Sequence, residues 1–190
     1  MIRKAVICTL TLAATLGLSA CATPEIARNS QPQPAFVLKD YFKGRSYAYG
    51  VVEDGSGKIT RSFTVVADGT INGDTLVLDE AFLWNDGTRQ QRVWTFVQKA
   101  PGEYVGTAAD VRGEARLENT GNALRIRYAL EVPFNGQTLA VDVDDWSHHV
   151  ADGVVINRAD LRKFGFKVGR VTLVFFRPGD ARPVAQSLRP

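Results

Sequence analysis

Two acids stand where acids are costly. Glu80 shares its alternation with Leu76, Leu78, Phe82 and Trp84, and Asp145 shares its own with Leu139, Val141 and Val143. A carboxylate stranded among apolar side chains costs several kcal/mol or takes up a proton, so each needs a polar partner. Arg92 is the partner expected for Glu80. Arg158, in phase with Val154 and Ile156, is the one expected for Asp145. With Trp94, Trp146 and Asn157 these residues form the candidate polar cluster. Its chemistry has two readings at this point: ion pairs that fix strand register, or a group that reads the polar end of a ligand.

Other chemistries find little support. His148 and His149 are adjacent on an expected strand end, so their side chains point to opposite faces and cannot grip one ion together. Asp142 and Asp144 lie on the face opposite Asp145, which argues against a calcium site. No Gly-x-Ser-x-Gly elbow, phosphate loop or dinucleotide fingerprint occurs, and Ser56 sits between two turn glycines with no base nearby. The sequence therefore names no catalytic residue, no metal ligand and no cofactor.

Cys21 carries a different chemistry. Arg3 and Lys4 precede the apolar run Ala5 to Leu16, and Leu18-Ser19-Ala20-Cys21 follows. This order fits an export signal, and the run is shorter than the roughly 20 apolar residues that cross a bilayer. The final four residues match the lipobox of bacterial lipoproteins: small side chains let a peptidase approach, and the cysteine sulfur accepts diacylglycerol. The expectation is cleavage before Cys21 and anchoring of the chain to a membrane through acyl chains at its new N-terminus. Ala22, where Asp would favour inner-membrane retention, points to the periplasmic face of the outer membrane. Cys8 lies in the discarded segment, so no thiol is left for a disulfide. Discounting Arg3 and Lys4, 21 basic residues face 20 acidic ones, and no basic run remains that could track nucleic acid.

These residues need a scaffold. Residues 1–20 read as signal, 21–35 as the acylated cysteine and a flexible Pro-, Gln- and Asn-containing tether, 36–177 as one folded domain, and 178–190 as a tail. The domain is a succession of about ten short alternating stretches broken by Gly, Asn and Asp turns, which argues for an all-β fold. A single antiparallel meander closed into a barrel hides the apolar face and removes open edges. Barrels of this size hold ligands in lipocalins. A two-sheet sandwich is the rival. Residues 37–43 and 159–164 are each expected to form one helical turn.

Two hairpins set the register. Leu124, Ile126, Tyr128, Leu130 and Val132 alternate with polar residues, and Asn135-Gly136 follows as a two-residue turn. That turn pairs Val132 with Leu139, Leu130 with Val141 and Tyr128 with Val143, and places Asp145 opposite Ile126. A three-residue loop Asn85-Asp86-Gly87, with Gly87 left-handed, pairs Glu80 with Arg92, Leu78 with Trp94 and Leu76 with Phe96. A two-residue Asp-Gly loop would put Val93 opposite Glu80 instead, and the first is preferred because it keeps the aromatics together. Gly106, Ala108, Gly113 and Ala115 leave little side-chain volume on one face, which fits either a pocket or close backbone packing.

The stretch Leu78-x-Glu80-x-Phe82 with Asp86-Gly87 and Arg92-x-Trp94 carries a resemblance. So do Gly106-x-Ala108-x-Asp110-Val111-x-Gly113, Asp144-Asp145-Trp146, Asn157-Arg158 and Lys163-Phe164-Gly165. Together they resemble a family of bacterial lipoproteins catalogued as a domain of unknown function (family 3833), over about residues 36–177. The resemblance implies a calycin-like barrel and genes lying near fatty-acid-modifying enzymes, but no activity and no site. Where that family tends to have a large or aromatic pair after Asp-Asp-Trp, this chain has Ser147-His148-His149. The resulting expectation is a lipid-anchored envelope protein whose barrel binds or carries a fatty acid or membrane lipid. The alternative is an interaction module with a filled core, and a third reading is an enzyme using Glu80 or Asp145 as acid or base.

Overall fold

A computed structural model describes residues 25–134 and 136–178, except the side chain of Phe134. The expected signal segment, Cys21, the first residues of the expected tether, Asn135 and nearly all of the expected tail lie outside the described residues. Two short helices, α1 (Glu25–Arg28) and α2 (Leu38–Phe42), precede ten strands. These are β1 (Gly44–Asp54), β2 (Ile59–Asn72), β3 (Thr75–Trp84), β4 (Arg89–Ala100), β5 (Glu103–Thr107), β6 (Val111–Thr120), β7 (Ala123–Phe134), β8 (Gln137–Ala151), β9 (Val154–Lys163) and β10 (Phe166–Phe176).

Each strand pairs antiparallel with the next, and β1 pairs with β10, so the meander closes into a barrel with no free edge. The sandwich rival is thereby excluded. The side-chain period of two sends one face of every strand inward. Along β3, Leu76, Leu78 and Glu80 are buried while Val77 is exposed. The register of β7 on β8 is the expected one, with Ile126 opposite Asp145. That of β3 on β4 is too, with Glu80 opposite Arg92 and Gly87 at φ 83° in the connecting loop.

One end of the barrel is plugged. Phe36, Leu38, Tyr41 and Phe42 insert as a cluster of fully or nearly fully buried side chains. The ring of Phe42 meets that of Phe175 edge-on at 5.2 Å, and Phe36 meets Tyr41 at 5.5 Å. The plug sits tight because β2 carries Gly69 beneath it: a Cβ there would lie 1.6 Å from the carbonyl oxygen of Phe42.

Two expectations are corrected. Residues 25–35, expected as tether, are packed on the barrel. Gln31 donates its backbone N–H to Asn122 Oδ1 at 2.7 Å and accepts from the Asn122 N–H at 2.8 Å, and Ile26 is buried. Polar capture of this kind leaves no trace in composition. Residues 159–163 continue β9 instead of turning into a helix. Asp160 projects outward there and is held across the strands by Arg170 at 2.6 Å and Lys167 at 3.5 Å. The small residue Gly106 is explained by packing, since a Cβ would fall 2.8 Å from the ring of Phe96.

Candidate functional site

Between the plug and the open end, the inward faces enclose a cavity of about 420 Å³. Its wall is mostly aliphatic and aromatic, including Leu78, Phe96, Ile126 and Leu173. Trp94 stacks on Phe96 at 5.1 Å and meets Tyr128 edge-on at 5.4 Å. Into this lining project Glu80, Arg92, Asp110, Tyr128, Asp145 and Asn157.

Strand register alone does not decide who bonds whom. Arg92 donates Nε–H and Nη2–H to Asp110 Oδ2, at 3.0 and 2.6 Å, although its cross-strand neighbour is Glu80. Glu80 is 7% exposed and forms no hydrogen bond or ion pair among the described residues. Burial pushes its carboxyl up to about 7. Arg92 opposes that shift, while Asp145, Asp110 and Asp79 add to it. The expected Glu80–Arg92 ion pair is thus replaced by an Arg92–Asp110 pair with Glu80 beside it.

Asp145 is corrected likewise. Arg158 is exposed and belongs to the outer wall, because the inward phase of β9 is Val155, Asn157 and Ala159. The consecutive apolar residues Val154, Val155 and Ile156 support either phase on paper, and a bulge between His149 and Ala151 sets the one that is used. The partner of Asp145 is Asn157, whose Nδ2 donates to Asp145 Oδ1 and, at 2.7 Å, to Ser147 Oγ. Burial pushes the Asp145 carboxyl up to about 7 as well. The Asn157 hydrogen bond pulls it down and the charge on Asp144 pushes it up. Tyr128, between these acids, has its phenol raised by burial first and by Asp145 second.

Of the candidate cluster, the fold brings Glu80, Arg92, Trp94, Asp145 and Asn157 into one chamber. Trp146 lies on the outside with Arg158 opposite it, its ring 4.7 Å from the Arg125 guanidinium, which is paired with Asp144 and Glu25. His148 also faces outward, donating Nε2–H to Asn29 O at 2.9 Å, whereas His149 donates Nδ1–H to Ala35 O at 2.8 Å against the plug. Among the described residues no group of His, Cys, Asp and Glu is placed to hold a metal ion.

A model for a family described as a protein of unknown function, DUF3833, matches residues 15–177. The chain belongs to that family. No curated protein matches it. In this DUF3833 barrel, Glu80, Arg92, Trp94, Asp110, Asp145 and Asn157, all among the residues that carried the resemblance, line the cavity. Asp110 and Tyr128 are the site residues missing from the sequence-derived cluster. Asp110 stands in the turn after β5, outside any alternation, and Tyr128 reads as one more apolar residue of its strand.

The chemistry open to this chamber is recognition with proton uptake near neutrality. Arg92 is already held by Asp110, so its charge is fixed in place. Glu80 and Asp145 can each present a protonated oxygen as donor or an ionised one as acceptor.

Proposed function

We propose that this DUF3833 protein binds an apolar ligand, a fatty acid or membrane lipid, with its tail along the aliphatic wall and its polar end at Arg92, Glu80 and Asp145. The observation that carries the reading is the cavity itself. Its volume falls within the roughly 300–1,000 Å³ range of small-molecule sites, and it joins an apolar lining to a few convergent polar groups. A filled core, the alternative, would leave no such space and no reason for a buried acid without a bonded partner. Mass spectrometry of organic extracts from protein purified without acylation tests the reading. A stoichiometric acyl-chain species is expected, and extracts free of one, together with no uptake of added lipid, would defeat it.

The protein acts, on this proposal, at the cell envelope. Acyl chains on Cys21 hold it at the periplasmic face of the outer membrane. Cys21→Ser should abolish incorporation of a labelled fatty acid, and equal label in variant and parent would remove the anchor from the proposal.

A further inference from the structure

The open end of the barrel carries a hairpin tip that water and backbone geometry both disfavour. Lys163 pairs with Phe166, so Phe164 and Gly165 alone form the β9–β10 turn. Both have positive φ, 51° and 83°. A two-residue turn of this hand favours Asn-Gly or Asp-Gly, and a bulky residue with positive φ is an outlier. Phe164 is also 85% exposed and Phe166 76%, and Val168, left unpaired by the bulge between Lys167 and Gly169, is exposed beside them. Single exposed apolar residues are ordinary; three on one tip, one of them in a strained turn, are not.

The charge around the tip names its partner. From Asp160 to Arg170 the hairpin carries Arg162, Lys163, Lys167 and Arg170 against a single carboxylate. Asp160 is shared by Arg170 at 2.6 Å and Lys167 at 3.5 Å, so the hairpin keeps a net positive charge, and Lys163 stands at the ring of Phe164. The Lys163 ammonium lies 4.9 Å from the Phe164 ring and donates to Ala140 O at 2.5 Å, a posture that holds cation and ring together. Exposed aromatic rings on a hairpin of net positive charge match the interface of an anionic bilayer, where rings enter the headgroup layer and ammonium groups meet phosphates.

We infer that the Phe164–Phe166 hairpin docks the open end of the barrel on an anionic lipid bilayer. Leu161, two strand positions before Lys163, lines the cavity, so docking there brings the cavity mouth to the lipid surface. The first described element, α1, lies toward the plugged end, where Asn29 meets His148. The contact therefore lies at the opposite end of the barrel from α1, and it does not depend on what the cavity holds.

The test uses the chain from residue 21 onward with Cys21→Ser, which has neither signal nor acyl chains. It is sedimented with vesicles of equal parts phosphatidylethanolamine and phosphatidylglycerol, and with vesicles of phosphatidylcholine alone. Binding to the anionic vesicles, weakened by salt, is expected. Phe164→Asn with Phe166→Thr should weaken it by at least about tenfold, the scale of burying one such ring. Asn suits the turn, so thermal stability should hold or rise. Lys163→Gln with Lys167→Gln, which spares both rings, should lose most of the preference for anionic vesicles. No binding by the parent chain, undiminished binding by both variants, or a hairpin-dependent dimer that accounts for the rings would each overturn the inference.

Discussion

Arg92 and Asp110 are joined by two hydrogen bonds to one carboxylate oxygen, while the other, Oδ1, is buried without a partner. The pair closes a turn onto a strand inside the chamber, with 18% and 28% of the two side chains exposed. Both side chains are partly buried and line the cavity.

Removing the guanidinium strands that acid. Arg92→Met should cost about 2–4 kcal/mol in chemical unfolding, near the lower end of the range for broken buried pairs. The cycle of Arg92→Met with Asp110→Asn should show coupling of about 1 kcal/mol or more, and that with Glu80→Gln a smaller value. The reverse order would mean that Arg92 bonds Glu80 in solution.

The two raised carboxyls make stability depend on pH. Glu80 and Asp145 bind protons more tightly folded, at about 7, than at their ordinary values of 4.5 and 3.8. Between those limits the native state holds the extra protons. Stability from these groups is thus full below about pH 4 and lost as pH rises through about 7. Asp160, held down by its hydrogen bond with Arg170, works the other way: its contribution is present above its ordinary value and is lost as pH falls. Thermal unfolding should therefore peak near about pH 5 and decline toward pH 8, by on the order of 2 kcal/mol for each raised group. Glu80→Gln and Asp145→Asn should each flatten that decline. An unchanged slope in the double variant would place both acids in water.

Asn157 ties two neighbours together, so its loss has two signatures. Asn157→Ala should destabilise by about 1–3 kcal/mol, because the Asp145 carboxyl loses its donor. It should also raise the Asp145 carboxyl further, moving the pH-dependent decline upward. Carboxyl chemical shifts from NMR titration would check the second effect independently of the first.

The plug offers a steric test. Gly69→Ala has no space for its methyl group against the Phe42 carbonyl, which belongs to backbone and cannot rotate away. It should cost about 1–3 kcal/mol, the usual range for overpacking. Hydrogen exchange should rise selectively at Leu38 to Phe42. Uniform change across the barrel would show that plug and wall unfold as one.

Much of this architecture is written locally. Alternation of period two, Asn135-Gly136 after a clean amphipathic strand, and Gly87 in a three-residue loop are enough to order the strands and to seat Glu80, Asp145 and Arg92 on the inner face. Side-chain phase and turn chemistry act over a few residues, so a reader of the chain has them in full. The placement of Arg158 fails for the same reason: Val154, Val155 and Ile156 are all apolar, so local pattern gives no phase, and only pairing with β8 across a bulge selects Asn157 as the inward residue. Tertiary structure alone decided that Arg92 reaches past its strand neighbour to Asp110, that residues 25–35 are caught by Asn122, and that the core is left open at about 420 Å³. These outcomes depend on closing the barrel, which brings turns and the chain before the first strand against residues up to 137 positions away. Distances of that kind are set by the whole sheet, and no stretch of sequence holds them.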